Sequence, residues 1–470
     1  MPASGQRRSK ILSVAGAVIC VSPHGTMHIV KTIVSRGTIV SSHPLYISLG
    51  FKTKIHRVFN RDHMSKQRYV VIGAGHAGGR AAEAMRMAGF EGDIVLVGAE
   101  QHLPYERPPL SKEVLQARPG YEFPFIRPQE YYEEQNVELR LGIAATSISS
   151  AERLVTLADG EKLSFDKLLL TTGGSVRDLT IPGVGHMGVH YLRTLEDSTA
   201  IEAALADAKD VIVIGGGFIG LEVAASARQR GCNVKVLEIS NRLLGRGVPP
   251  SVSDYFLNLH QSHNVDVRLN TGVKSIERGD HLSGVVTSSG DVMPADLIVI
   301  GIGIVPETKL AEQTGLKIDN GIVVNEFCQT SDPLIFAAGD VTNHYNPLVG
   351  RHIRLEAWQC AQNMAIAAAK IMCGDKTPYA EVPWMWSDQF DSNLQVAGMP
   401  ETWDNIVPRG DLASGKFTGF VLQDGKITGA ISINQPRDLR LVRRMMDAGK
   451  SYTADELTDE SISMRELSKR

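Results

Sequence analysis

Apolar positions in this chain fall into short, unbroken runs, each followed by a glycine-rich turn and then a small-residue segment with helical spacing. "YVVI" (69–72) reads as a buried strand, "RAAEAMRMAG" (80–89) as a helix closed by Gly89, and "DIVLVG" (93–98) as the next strand. The same order returns at "VIVI" (211–214), "LEVAASARQRG" (221–231) and "NVKVLE" (233–238). Two further runs, "LLLTTGG" (168–174) and "PLIFAAGD" (333–340), read as buried strands ending in small-residue turns. Near the end, "QPRDLRLVRRMM" (435–446) predicts a helix, with Pro436 in its first turn and good helix formers after it. The alternation of strand and helix predicts an α/β fold. No apolar run reaches the roughly 18 residues of a membrane span.

The turns give the repeat its chemistry. "GAGHAGG" places Gly73, Gly75 and Gly78 between a strand and a helix, the setting in which G-x-G-x-x-G binds a dinucleotide. The first glycine allows the tight turn, the second lets backbone approach a pyrophosphate, and the third lets the helix pack on the strand. The helix N-terminus then offers unpaired N–H groups to the phosphates. Glu100, just past the second strand, can accept from both hydroxyls of an adenosine ribose. In the second copy Gly215, Gly217 and Gly220 form the turn, and Glu238 lies 23 residues beyond Gly215, near the spacing of about 20 for a ribose-binding acid. A carboxylate there repels a 2′-phosphate and favours NAD over NADP, although Arg242 and Arg246 follow closely. One such turn can be a plain strand-to-helix connection. Two complete units, each with its acid, predict two dinucleotides, one per unit.

At 470 residues the chain suits about three domains of roughly 150 residues. Charge separates the N-terminus from the rest. Residues 1–63 hold nine Lys or Arg against Asp62 alone, which leaves the remainder at about −11 and excludes a general nucleic-acid binder. That basic stretch has the charge-then-apolar order of a signal peptide in "RRSKILSVAGAVICVS", yet Met64 sits five residues before the first strand. It is read as a disordered or upstream start-site extension, with a targeting segment as the competing reading. Cys20, Cys232, Cys328, Cys360 and Cys373 are too scattered for a zinc cage or a near-neighbour redox disulfide, and no metal site is expected. Such scatter suits a reducing, cytoplasmic setting.

Taken together, "GAGHAGG", "PYERPPLSK" (104–112), "TTGG", "YLRTLEDS", "VIGGGFIGLEVAASA", "IFAAGD", "RLEAW" and "PWMWSDQ" resemble the two-dinucleotide-binding flavoproteins of glutathione-reductase-like fold. Within these the chain resembles the putidaredoxin, rubredoxin and ferredoxin reductases of bacterial oxygenase systems, over residues 64 to about 445. The resemblance implies a split FAD domain (64–175 and 301–383), an inserted NAD domain (176–300) and a C-terminal α+β domain (384–470). To FAD it assigns Gly73, Gly75, His76, Ala77 and Gly78, Glu100, Lys112, Ala145 by its backbone, Arg177, Asp340 and Trp358. Further cofactor positions are Arg107, Thr172, Gly303 and Glu356 and, at the second turn, Gly215, Gly217, Phe218, Ile219, Gly220, Glu238 and Arg246. The chain departs from its relatives in part of "RLEAWQCAQNMA" and after about residue 445.

The resemblance also implies roles. Lys112 is expected near the reactive edge of the flavin, paired with Glu222, which lies on the first turn of the NAD helix; a buried cation there favours the charge that develops on reduction. Read alone, Lys112 is equally a solvated lysine after a Pro-rich turn. Trp386 is expected beside the flavin on the carrier side, and Trp384 as core packing. "HLPYERPPLSK" has no cysteine where disulfide-reducing relatives carry one. Three outcomes are open: an NADH-dependent reductase of a small [2Fe–2S] ferredoxin or rubredoxin; an NADH-sensing flavoprotein like apoptosis-inducing factor; or a direct reductase of a small acceptor such as monodehydroascorbate. The cofactors are FAD and NAD, and the enzyme is expected as a monomer or homodimer. An acidic carrier would need a local basic patch, for which Arg437, Arg440 and Arg444, with Arg443 alongside, are the candidate.

Overall fold

The computed structural model describes residues 66–278 and 282–470, together with five short strands nearer the N-terminus. The chain divides into two compact units, Met1–Met64 and Ser65–Arg470. In the first unit Ile11–Val14, Ala17–Val21 and Met27–Lys31 pair as an antiparallel sheet, and Val34–Ser35 pairs with Thr38–Ile39. These β-branched runs were not recognised from the sequence, which showed no sustained periodicity there. The rest of the basic extension, and with it the start-site reading, lies outside the described residues.

The second unit is built on two parallel five-stranded sheets in which four adjacent strands follow the same order, while the fifth, at one edge, comes last in sequence in the first sheet and first in the second. The first runs Ile335–Ala337, Lys167–Leu170, Arg68–Ile72, Asp93–Gly98, Val137–Leu141; the second runs Val189–Tyr191, Leu297–Ile300, Asp210–Ile214, Asn233–Leu237, Val265–Arg268. Every neighbouring pair is parallel. The strand entering each glycine turn is therefore the central one. Val70 and Val71 are both fully buried, as are Ile212 and Val213. Successive residues face opposite sides of a sheet, so both faces are covered, which is why these strands read as unbroken apolar runs. Each fold half also inserts a three-stranded antiparallel sheet just before the strand that returns to pair with the one entering the glycine turn: Ala145–Ser149, Leu154–Leu157 and Lys162–Ser164 in one, Val273–Arg278, Leu282–Thr287 and Val292–Met293 in the other.

The helices after the turns span His76–Met87 and Phe218–Gln229. They start several residues earlier than the sequence suggests, because the residues after Gly75 and Gly217 are already helical. Gly89 and Gly231, at φ 81° and 94°, then release the chain from each helix.

Two short strands, Gly174–Val176 and Ile304–Pro306, pair antiparallel where the chain leaves the first sheet and returns to it. The Arg177 N–H donates to the Gly303 carbonyl at 2.9 Å, and the Glu307 N–H to the Gly173 carbonyl at 3.0 Å. We propose this pair as the boundary between the FAD and NAD domains. After it, a five-stranded antiparallel sheet runs in the order Trp384–Gln389, Ser392–Gly398, Lys426–Ile433, Lys416–Gln423, Val407–Asp411. One face buries Leu394, Val396, Phe417 and Ile431 in a core shared with Val252 and Phe256. The other packs Ala397, Phe420 and Ala430 against Leu439, Val442 and Met445 of the helix Pro436–Asp447.

His260 and His344 are buried without charge. Desolvation pushes His260 and His344 down to about 4 from an ordinary 6.5. The unfolded chain takes up protons on both as pH falls through 6.5, while the native state resists until about 4. Stability is therefore lost on acidification across that window, each site contributing up to about 1.4 kcal/mol per pH unit. Thermal unfolding should show Tm falling between pH 7 and pH 5, with a shallower slope in His344→Gln. A flat Tm over that range would contradict the burial argument.

Candidate functional site

Both glycine turns open into one continuous cavity of about 1720 Å³. Gly73 and Gly215 each have φ of 110°, a conformation that favours glycine. A Cβ on Gly78 would lie 2.0 Å from the Gly73 carbonyl oxygen, and one on Gly220 would lie 2.1 Å from that of Gly215. These third glycines line no part of the cavity; they let each helix seat against its turn. The second glycines face open space. A Cβ on Gly217 meets nothing within 4 Å, and one on Gly75 meets only the Arg107 guanidinium at 3.8 Å. Each helix N-terminus therefore presents bare backbone to the cavity, as pyrophosphate binding requires.

The acids at the ends of the second strands are held differently. Glu100 accepts from the Tyr105 hydroxyl at 2.5 Å and from Arg107 at 2.6 Å. Arg107 also donates to the Arg193 carbonyl, and Arg193 pairs with Asp340 at 3.2 Å. Glu238 accepts from the backbone N–H groups of Gly216 at 2.6 Å and Ser240 at 2.8 Å. Arg242 does not face a ligand freely: its terminal nitrogens donate to the carbonyls of Gly245 (2.6 Å) and Val248 (3.1 Å).

Where the two halves meet, Lys112 and Glu222 form an ion pair at 3.2 Å, with side chains 13% and 4% exposed. Pro108 and Pro109 start a single 3-10 turn, Pro108–Ser111, that ends on Lys112 and fixes its approach. Glu222 also accepts from Ser111 Oγ at 2.5 Å and Ser387 Oγ at 2.6 Å. The pair joins residues 110 positions apart in sequence, and Lys112 is not a solvated surface lysine.

Aromatic rings line the far wall. His76 lies 4.9 Å from Trp358, Trp358 lies 5.6 Å from Trp386, and Trp386 stacks on Trp384 at 5.2 Å. Arg443 covers Trp384 at 5.1 Å. The row thus passes from the cavity to the helix Pro436–Asp447, whose Arg437, Arg440 and Arg444 are exposed. Trp384 packs against the C-terminal core and also extends this row. Both ring nitrogens of His76 and the Trp358 indole nitrogen are buried without a hydrogen-bond partner among the described residues. Burial also pushes His76 down to about 3, so it is a neutral ring. Unpartnered polar atoms lining a cavity with two bare helix termini fit a bound flavin dinucleotide.

Of the positions expected from sequence, Ala77, Ala145, Thr172, Phe218, Ile219, Arg246, Gly303 and Glu356 also line this cavity. The Thr172 hydroxyl donates to the Glu307 carbonyl, and Glu356 pairs with Arg354. Arg177 lies outside the lining, with its side chain exposed and its backbone engaged at the strand pair. Tyr105, Ser111, Arg193 and Ser387 were given no role from sequence. Arg193 sits in "YLRTLEDS" and Ser387 in "PWMWSDQ", but neither local pattern names its distant acidic partner. Among the described residues no group of three or more His, Cys, Asp or Glu is placed to hold a metal.

Residues 67–365 match the model of the family described as pyridine nucleotide-disulphide oxidoreductase, and residues 384–468 match that described as reductase C-terminal. The chain belongs to the pyridine nucleotide-disulphide oxidoreductase family. It is 43% identical over 404 residues to the anthranilate 1,2-dioxygenase system ferredoxin–NAD(+) reductase component of Burkholderia cepacia, covering 86% of this chain and 99% of that one. The crystal structure of the ferredoxin reductase for the CYP199A2 system from Rhodopseudomonas palustris has a TM-score of 0.83 and 36% identity, covering 86% of this chain and 100% of that one. The reductase in the covalent putidaredoxin reductase–putidaredoxin complex gives 0.82 and 37%, over 85% and 98%. Members of this family are oxidoreductases that use FAD and NAD(H). No described helix is long and apolar enough to cross a membrane.

Proposed function

We propose that this family member is an NADH-dependent reductase that passes electrons through FAD to a small [2Fe–2S] ferredoxin serving an oxygenase. The observation that carries the proposal is the single cavity reaching both glycine turns, with Lys112 and Glu222 at their junction and the aromatic row leading outward. FAD supplies the conversion from a two-electron donor to a one-electron acceptor. The chain supplies position and field. The first turn, with Glu100, Arg107 and Asp340, holds FAD. The second turn, with Glu238, holds NADH. Lys112 and Glu222 set the charge between them, and Trp386 bounds the carrier side. Disulfide chemistry has no support at this site, since "HLPYERPPLSK" holds no cysteine, and Cys232, Cys328, Cys360 and Cys373 are unpaired. Unpaired thiols support a cytoplasmic location.

The carrier is proposed to dock at the end of the aromatic row, against Arg437, Arg440 and Arg444. Leu439, Val442 and Met445 bury the opposite face of that helix, so the arginines point outward. On a body of about −11 charge, a local basic face is needed to steer an acidic partner. Arg440→Glu combined with Arg444→Glu should slow ferredoxin reduction about three- to tenfold at low ionic strength, and the defect should shrink as salt screens the field. Flavin reduction by NADH should be unchanged in stopped-flow. Failure of the wild-type enzyme to reduce any [2Fe–2S] ferredoxin with NADH, while turning over a small acceptor, would overturn the proposal. Unaltered carrier reduction in the double variant would move the docking face elsewhere.

A further inference from the structure

The strand Trp384–Gln389 carries two different chemistries on its two faces. Trp384 and Trp386 point one way, into the aromatic row. Ser387 and Gln389 are fully buried and belong to a second network. Ser387 Oγ donates to Glu222 Oε1 at 2.6 Å. Gln389 Nε2 donates to Ser387 Oγ at 3.1 Å, and Gln389 Oε1 meets His260 Nε2 at 2.9 Å. His260, on the helix Pro250–Ser262, is also fully buried.

The donors in this chain all point one way. An ionised carboxylate can only accept, so the Ser387 hydroxyl donates its hydrogen toward Glu222. Its oxygen then takes the Gln389 amide hydrogen, which turns the amide oxygen toward His260. That oxygen only accepts, so His260 carries its hydrogen on Nε2. The sequence His260, Gln389, Ser387, Glu222 is therefore a directed line of hydrogen bonds with its positive ends aimed at the carboxylate. On the other side, Ser111 and Lys112 donate to Oε2. Glu222 thus has a donor on Oε1 from the C-terminal domain that matches the hydroxyl on Oε2 from the loop bearing Lys112.

We propose that Ser387, oriented by Gln389 and His260, is a positioning residue for the Glu222–Lys112 pair. It keeps part of the carboxylate charge engaged away from Lys112, which leaves the ammonium's field directed into the cavity. The same strand presents Trp386, so the C-terminal domain sets the charge at the donor side of the site while forming its carrier side. The inference rests on the assignment of Lys112 and Glu222 to that site.

The test uses FAD-loaded full chains carrying Ser387→Ala, Ser387→Thr, Gln389→Met or Glu222→Gln. Without the Ser387 donor, Glu222 draws more fully on Lys112 and the field favouring added negative charge weakens. Ser387→Ala should slow flavin reduction by NADH about tenfold, with the Kd for NADH within about twofold, since a hydrogen bond to a charged group is at stake. The NADH–flavin equilibrium should move about tenfold toward oxidised flavin, a midpoint potential about 30 mV more negative for a two-electron couple. Ser387→Thr, which keeps the hydroxyl, should restore the potential. Gln389→Met should shift it in the same direction by less, and it provides the reading if Ser387→Ala fails to fold. A change in Tm with no change in potential would overturn the inference and reduce Ser387 to core packing. If Glu222→Gln moves rate and potential but neither Ser387→Ala nor Gln389→Met does, the positioning role alone is wrong. If Glu222→Gln moves neither, the assignment of the pair fails, and this inference with it.

Discussion

Replacing Lys112 with Met is expected to slow reduction of the bound FAD by NADH about 100- to 1000-fold, the range found when one preorganised donor is removed from a water-excluded site. Methionine keeps the length and most of the volume of the lysine stem, so the cavity wall is preserved while the charge is lost. The lysine's side chain is only 13% exposed, so little solvent screens its field. The effect should fall on the limiting rate and leave NADH affinity almost unchanged, because Glu238 and the second glycine turn are untouched. Carrier reduction by chemically pre-reduced enzyme should stay near wild type, since the aromatic wall is intact. The variant should also lose stability, by less than the roughly 3–5 kcal/mol that follows when a buried pair loses one partner. Ser111 and Ser387 still donate to Glu222 and offset part of that cost. A stopped-flow rate within threefold of wild type would remove Lys112 from the reacting site.

What was legible in the sequence was local. The glycine turns, their flanking strands and the acids beyond them lie within about 30 residues of one another, and hydrophobic runs and turn chemistry act over that range. The repeat also anticipated two similar sheets, though not that the edge strand comes from the end of the chain segment in one and from its start in the other. Long-range partners were not legible. Lys112 meets Glu222 across 110 positions, Arg193 meets Asp340 across 147, and Ser387 meets Glu222 across 165. Nothing in the spacing of a charge reveals which remote charge it will meet; only the resemblance supplied the first of these pairs. Arg177 is placed differently from the rest of the expected set. The family pattern carried it over as a cofactor contact, but its backbone is used to pair two connecting strands and its side chain faces solvent. Arg242 was weighed as a possible phosphate ligand because charge alone was visible. The loop that follows it supplies two carbonyl acceptors that engage its terminal nitrogens, a fold-dependent fact that charge and spacing do not reveal.

The occupied state of Arg242 sharpens the expected choice between nicotinamide cofactors. Wild-type enzyme should favour NADH over NADPH by at least about 100-fold in kcat/KM, and Glu238→Ala should reduce that preference by about 10- to 100-fold, each factor of ten being about 1.4 kcal/mol. Two effects act in the same direction. The carboxylate can accept from ribose hydroxyls while it holds the Gly216 and Ser240 N–H groups, so its loss weakens NADH binding. It also repels a 2′-phosphate, so its loss removes a penalty on NADPH. The result should be a lower kcat/KM for NADH and a modest gain for NADPH, rather than a reversal. A reversal would need a cation free to meet the phosphate. Arg242 is tied to Gly245 and Val248, which leaves Arg246, on the cavity wall, as the nearby cation to which any larger gain for NADPH would be traced. Adding Arg242→Ala to Glu238→Ala should therefore leave NADPH use no worse. If that double variant loses the NADPH gain, Arg242 leaves its carbonyl partners to bind the phosphate. A wild-type preference for NADPH would overturn the role given to Glu238 altogether.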